Sequence, residues 1–289
     1  MWLVAVNPTS GSGKGSLYGS QVVGFLRTRG IDYTLITGNS PETLRTNLSR
    51  ALDTAPLIHG VISVGGDGLI HAVIQECAPR KIAFAAIPAG TGNDFVRTLG
   101  WDLENIEEIL VKIVETHPQP IDMGLVDGEW FVNILSTGFD SIVNERANRI
   151  SWPKGPHRYN MAIALELPTF KPRSYRISLD DVEFQTEAML IAVANGISYG
   201  GGMKVAPEAS YTDGLFDVLV LEPVSKIEFI KVFPKVFSGD HLSHPAVQIR
   251  RSKKISISAS AVAYADGERI GQLPVSAECI HLAGKTWMR

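Results

Sequence analysis

The chain opens on a short apolar run, residues 2–6, and the same signal returns at 33–36, 61–64 and 82–87. Each run is four to six residues long, dominated by aliphatic side chains and bounded by turn residues. Runs of that length read as buried strands rather than helices. Between them the period lengthens. A helix is expected after residues 7–15, reaching about Arg29 and stopped by Gly30. A second opens with Ser40 as N-cap and Pro41 at the first helical position, and runs to about Leu52. Others follow Gly68, begin near Asn93, and span residues 106–115. Strand, loop and helix in repetition predict a mostly parallel sheet with helices on both faces.

The pattern changes near Asp122. Residues 125–132 read as a hairpin about Asp127-Gly128. The run 133–140 ends in Gly138-Phe139-Asp140, followed by a helix at 141–150, a loop at 151–156 and a helix at 159–167. From Tyr175 strands dominate: 175–179, 183–194, 215–221, 247–258, 262–265 and 272–281, interrupted by a helix at 226–237. The expected fold class is therefore an α/β N-terminal domain, residues 1–122, with a C-terminal antiparallel β-sandwich, residues 123–289. Whether the last strand returns to the first domain is left open.

Composition changes this picture little. The chain is 45% hydrophobic and 20% charged. A net charge of −3 lacks the basic surplus of a nucleic-acid binder. Cys77 and Cys279 form no CxxC pair and lie in apolar surroundings, so both are expected to be reduced and buried, in a cytoplasmic protein. No apolar run approaches the roughly 20 residues of a membrane-spanning helix. The first residues lack the basic start of a signal peptide. A soluble protein, or a peripheral visitor to a membrane, is expected.

The chemistry concentrates in glycine loops. Val61 to Val64 runs into Gly65-Gly66-Asp67-Gly68 and then an apolar helix. Glycines let a ligand approach bare amides, and the helix start adds a partial positive charge, a combination that suits a phosphate. Asp67 stands where a carboxylate holds a metal or a reacting hydroxyl; a plain tight turn is the other reading. Asn7-Pro8-Thr9-Ser10-Gly11-Ser12-Gly13-Lys14-Gly15 is a near miss for a P-loop, with Pro8 for the first glycine and Gly15 for Ser/Thr. It reads equally as a phosphate site using Lys14 or as a connector. Gly90-Thr91-Gly92-Asn93-Asp94 is the third such loop. Ligands of open parallel sheets bind beyond the carboxyl ends of the strands, where these loops converge. A nucleotide or polyphosphate site is the expectation.

The second half carries acidic turns. Asp213-Gly214 follows the glycine-dense 195–203 and Ala206-Pro207. Asp213 with nearby carbonyls suits a hard cation such as Mg²⁺, although by itself it reads better as a turn. Asp266-Gly267-Glu268 offers a carboxylate base beside a phosphate, or a hairpin turn. The 226–237 helix holds three phenylalanines and three lysines and fits either a membrane surface or packing on the sheet. The cluster 250–254 is basic, and His241 and His244 lack a third ligand candidate.

Taken in order, these motifs resemble those of the bacterial lipid kinase family that includes the diacylglycerol kinases, with sphingosine and NAD kinases as relatives. The resemblance spans nearly the whole chain. It implies ATP around Asn7, Pro8, Thr9, Ser10, Gly11, Thr37, Gly66, Asp67, Gly68 and Thr91, with Lys14, Gly65, Gly92, Asn93 and Asp94 in the same loops. It implies Mg²⁺ at Asp213 with the main-chain carbonyls of Ser210 and Leu215, and a second Mg²⁺ positioned by Asp67. Glu268, Asp67 and Asp266 are the catalytic candidates, with Glu268 or Asp67 as the base. Leu69 stands where the bacterial signature has threonine, as in sphingosine kinases. The expected reaction is transfer of the ATP γ-phosphate to a diacylglycerol-like lipid at the membrane surface. The alternatives are a sphingoid base or other lipid, a soluble hydroxyl compound such as a dinucleotide, or nucleotide binding without catalysis. Pairing with a second copy through the β domain is left open.

Overall fold

The computed structural model describes residues 1–55, 57–150 and 156–289. The chain forms two compact units, Met1–Met123 with Ile280–Arg289, and Gly124–Cys279.

The first unit is built on a four-stranded, wholly parallel sheet in the order β2-β1-β3-β4, from β1 (Trp2–Val6), β2 (Tyr33–Ile36), β3 (Gly60–Gly65) and β4 (Phe84–Pro88). β1, β3 and β4 are buried along their whole length, as expected for strands covered on both faces. The helices are α1 (Lys14–Thr28), α2 (Pro41–Thr54), α3 (Asp67–Cys77), α4 (Asp94–Thr98) and α5 (Ile106–Glu115). α1 packs with α5 and α2 with α3. Ser40 caps α2 as its sequence requires, its Oγ accepting from the Thr43 N–H at 3.2 Å. Gly30 sits at φ +65 just past α1. The terminal segment belongs here because Trp287 is buried. Its ring lies 5.4 Å from Trp2, its carbonyl accepts from the Trp101 indole, and its own indole N–H donates to Thr116.

The second unit contains two six-stranded sheets. Its elements are β5 (Gln119–Val126), β6 (Glu129–Phe131), β7 (Ile134–Gly138), α6 (Phe139–Arg149), α7 (Pro156–Glu166), β8 (Arg173–Leu179), β9 (Val182–Ala188), β10 (Leu190–Ala194), β11 (Phe216–Leu221), α8 (Lys226–Val232), β12 (Val247–Ser252), β13 (Lys254–Ser258), β14 (Val262–Ala265), β15 (Glu268–Gln272) and β16 (Val275–Thr286). β5 and β16 carry the chain between the units. The sheet orders are β12-β11-β10-β7-β14-β15 and β6-β5-β16-β13-β8-β9. Ile191 and Val193 of β10 face a core shared with Ile177, Ile255 and Phe131, where Phe131 stacks on Phe216 at 5.6 Å. Ala192 and Ala194 face a second cluster with Val205 and Leu219. A strand apolar on both faces shows no alternation in sequence, and β10 is one.

The expected strand 272–281 is displaced, with Gln272 closing β15 and β16 running Val275–Thr286, and three further elements differ from the sequence reading. The run 183–194 is two strands in different sheets. Met189 is the corner, its N–H donating to Leu221 and its carbonyl accepting from Phe139. The run 247–258 likewise divides at Lys253, where the Asp180 carboxylate accepts the Lys253 and Lys254 amides at 3.1 and 2.8 Å. The expected 226–237 helix stops at Val232 and tightens into a 3₁₀ turn, Phe233–Phe237, because Pro234 cannot donate to a continuing helix. The expected loop at 151–156 lies outside the described residues except for Pro156, which opens α7.

Candidate active site

In the first unit the strand order reverses about β1 and β3, the point where open parallel sheets leave a crevice at their carboxyl edge. The loops after β1, β3 and β4 meet there. A Cβ on Gly11 would lie 2.2 Å from the Ala89 carbonyl oxygen, and one on Gly90 would lie 2.4 Å from Gly66 Cα. Backbones this close admit no side chain, so the contact leaves main-chain groups at the surface of the junction. Ser10 Oγ is 3.7 Å from the Gly66 Cβ position.

Each loop is held internally. The Asn7 side-chain oxygen accepts from the Thr9 amide and hydroxyl at 3.2 and 2.9 Å, and the Asn7 N–H donates to Val64. Gly11, Ser12 and Gly13 all take positive φ before Lys14 opens α1. Asn93, also at positive φ, closes its loop by exchanging two hydrogen bonds with Gly90. Pro8, Thr9, Lys14, Gly68 and Thr91 are exposed, whereas Gly65, Asn93 and Asp94 are buried. Asp67 starts α3 and its Oδ1 accepts from the Phe95 amide at 3.4 Å, joining the second and third loops. Thr37 follows β2 on the same edge, its carbonyl accepting from the Asn47 amide. The Leu69 side chain is 8% exposed and packs back on Gly65, so it is part of the core beneath the loop.

In the second unit Asp266 and Glu268 flank the β14–β15 turn. Asp266, at φ +51, turns both carboxylate oxygens onto backbone. They accept from the N–H groups of Val132, Asn133 and Ile134 at 2.8, 2.8 and 3.1 Å. Glu268 begins β15 and is exposed. The same segment reaches the other acidic loop. Tyr211 donates to the Asn133 side chain at 2.9 Å, and Asn195 donates to the Val132 carbonyl at 2.8 Å. Asn133, Asn195 and Tyr211 are buried and tie the Glu268 turn to the loop that carries Ser210 and Asp213. None of the three was singled out from sequence, although an asparagine inside an apolar run is a signal, because a buried amide needs partners.

Asp213 accepts the Leu215 N–H at 3.1 Å through Oδ1 and lies 3.7 Å from Arg251 through Oδ2. Arg251 also pairs with buried Asp217 at 3.1 Å. Burial raises the Asp217 carboxyl above its ordinary range; Arg251 opposes this, and Asp213 and Glu208 reinforce it. Asp140, two residues after Gly138 at φ +114, has both carboxylate oxygens shut off from solvent and, among the described residues, without a partner at hydrogen-bonding geometry. Burial raises it to about 6, and the weaker pull of Ser136, the Ser141 and Asp140 amides and Tyr199 offsets only part of that. Among the described residues Cys77 and Cys279 are buried thiols outside any disulfide. Among the described residues no three His, Cys, Asp or Glu side chains converge as a metal set, and no helix is long and apolar enough to cross a membrane.

Known proteins share this organisation. Residues 1–126 match the diacylglycerol kinase catalytic domain, and residues 133–283 match the YegS C-terminal NAD kinase beta sandwich-like domain. A diacylglycerol kinase of Mycobacterium tuberculosis is 33% identical over 284 residues, covering 96% of this chain and 91% of the relative. One from Bacillus subtilis is 29% identical over 280 residues, covering 94% and 90%. A crystal structure of a diacylglycerol kinase from Bacillus anthracis has a TM-score of 0.75 at 22% identity, covering 100% of this chain and 96% of that one. At that identity the likeness speaks to fold alone. The chain belongs to the diacylglycerol kinase family and is a kinase.

Proposed function

We propose that this protein is an ATP- and Mg²⁺-dependent kinase that transfers the γ-phosphate to the hydroxyl of a diacylglycerol-like lipid, working at the membrane surface. The observation that carries the reading is the junction of Gly11, Gly66 and Gly90 at the carboxyl edge of the parallel sheet. Bare amides and the α3 N-terminus suit the phosphates of ATP, with Lys14, Thr37 and Thr91 around them. Phosphoryl transfer depends on positioning and charge neutralisation more than on covalent chemistry, and such a junction supplies both.

The donors near Asp213 fit magnesium in kind. Its carboxylate and the main-chain carbonyls of Ser210 and Leu215 are all oxygen, and Mg²⁺ keeps water in its remaining positions. A bound ion there would neutralise phosphate charge. Asp67 would orient the reacting groups. Glu268, exposed at the head of β15, would take the proton from the lipid hydroxyl. Asp266, its oxygens already committed to three amides, would position that turn and leave proton transfer to Glu268.

The test is transfer of labelled γ-phosphate from ATP to a total lipid extract with Mg²⁺, beside Asp67→Ala. A labelled, organic-soluble product that disappears in the variant supports the reading, and chromatography names the lipid. No labelled lipid with ATP binding intact would overturn it.

A further inference from the structure

Helix α8 and the 3₁₀ turn after it present apolar side chains on two faces. The inner face is filled. Phe229 is 7% exposed, meets Phe139 edge-on at 5.0 Å and stacks on Phe233 at 5.8 Å. The outer face is apolar as well: Ile227, Ile230 and Phe237 are 69%, 61% and 49% exposed, and Pro234 is exposed between them. Ile227 and Ile230 stand three apart on α8, and Pro234 and Phe237 three apart on the 3₁₀ turn, so each pair shares a face and the exposed residues form a stripe along consecutive turns. A single exposed isoleucine is ordinary, but a stripe opposite a face that is already packed marks an interaction surface.

The charges beside the stripe are sorted. Lys231 and Lys235 are exposed and enter no ion pair among the described residues. Lys226 turns inward, donating to the Phe170 carbonyl. The segment's one acid, Glu228, is taken by His244 at 3.1 Å. The outward stripe is thus apolar and basic on a chain whose net charge is −3.

We propose that Ile227, Ile230, Pro234 and Phe237 enter the headgroup region of an anionic bilayer while Lys231 and Lys235 meet lipid phosphates. This rests on the lipid-kinase reading, in which the substrate lies within a bilayer. Charge selects the occupant. A second copy would set the two lysines against their own kind. Four apolar side chains also fall well short of the roughly 20–30 residues a side of a stable protein interface. A bilayer accepts a shallow stripe of this size, with lysine stems lying along the apolar surface and ammonium groups among phosphates.

Sedimentation of the full chain with vesicles tests this, using phosphatidylcholine alone and phosphatidylcholine with about one third phosphatidylglycerol. The wild type is expected to prefer the anionic vesicles and to lose that preference as salt rises. Ile227→Ser with Ile230→Ser should weaken binding about tenfold or more at every salt concentration. Lys231→Gln with Lys235→Gln should remove the preference for anionic vesicles. Both pairs are exposed and lie outside the glycine loops, so circular dichroism and turnover of a short-chain diacylglycerol dispersed as monomers should match wild type. Vesicle binding of the isoleucine pair equal to wild type would overturn the proposal. So would a dimer in sedimentation equilibrium that the isoleucine pair dissolves while vesicle binding is unchanged. If the wild type phosphorylates no diacylglycerol yet the isoleucine pair still loses vesicle binding, the diacylglycerol reading falls and the docking stripe stands.

Discussion

The carboxylate of Asp266 accepts the Asn133 backbone N–H at 2.8 Å across 133 residues of sequence. With the Val132 and Ile134 amides on the same carboxylate, the hairpin turn that carries Glu268 is fixed to the start of β7. Tyr211, hydrogen-bonded to the Asn133 side chain, extends that anchorage to the loop of Ser210 and Asp213. Asp266→Asn removes the charge and sets an amide group against backbone N–H donors. Hydrogen bonds to charged groups contribute roughly 1.5–3 kcal/mol each, so a loss of about 2–4 kcal/mol is expected in urea unfolding of the whole chain. Turnover should fall while the pH profile keeps its shape, because in the proposed mechanism Asp266 positions the turn without exchanging a proton. A shifted pH profile would argue instead for a direct catalytic role.

Glu268→Gln tests the proposed base. Turnover should drop on the order of 10²–10⁴-fold with ATP affinity unchanged, the range expected for general base catalysis. Single-turnover kinetics near wild type from a folded variant would return the role to Asp67.

Two glycines separate close packing from mere flexibility. Gly90→Ala drives a methyl to 2.4 Å from Gly66 Cα, a clash with backbone that no rotamer relieves. Thermal denaturation should show a loss of about 1–3 kcal/mol, and ATP affinity should fall with it. Gly24, inside α1 with nothing near its Cβ position, should behave oppositely. Gly24→Ala is expected to stabilise by about 0.5–1 kcal/mol through helix propensity. Equal effects from the two would remove the case that the loops are sterically locked.

Asp140 gives the second unit a pH dependence of definite sign. Its carboxyl titrates at about 6 when folded, against an ordinary value of 3.8. Below both values the group is protonated in either state and contributes nothing. Between them the folded chain binds a proton that the unfolded chain has released, so stability falls as pH rises. Above about 6 the full penalty is present, on the order of 3 kcal/mol. Asp140→Asn should therefore gain on the wild type from pH 4 to pH 7 and hold its lead above that. A melting-temperature difference that stays flat across the window would show that Asp140 is not buried as a free acid.

Much of the first unit was legible because its signals are local. A capping serine before a proline predicted the start of α2, and the hydrogen bond from Thr43 to Ser40 is that cap. Short apolar runs between glycine loops gave β1, β3 and β4 and the parallel order that follows from repeated crossovers. The family resemblance, resting on Gly65-Gly66-Asp67-Gly68 and its companions in order, agrees with the matched kinase domain. Sequence was less informative where chain direction turns on distant partners. Residues 183–194 are one apolar run by composition, and only the pairing of Met189 with Leu221 and Phe139 shows that it serves two sheets. Residue types at 226–237 showed an amphipathic helix; which phenylalanines pack inward and which apolar side chains remain outside followed from the fold of α6 and α7 against it.

The sequence by itself determined the strands and helices of the first unit, the glycine loops and the family, because caps, turns and buried strands are set by side chains within a few residues of one another. The tertiary structure alone decided that Trp287 returns to pack against Trp2, that Asp266 holds the backbone of Val132 to Ile134, and that Leu69 lies beneath its loop. Those relations depend on shape complementarity and on the demand that buried polar groups find partners, and neither is written in the spacing of residues along a chain.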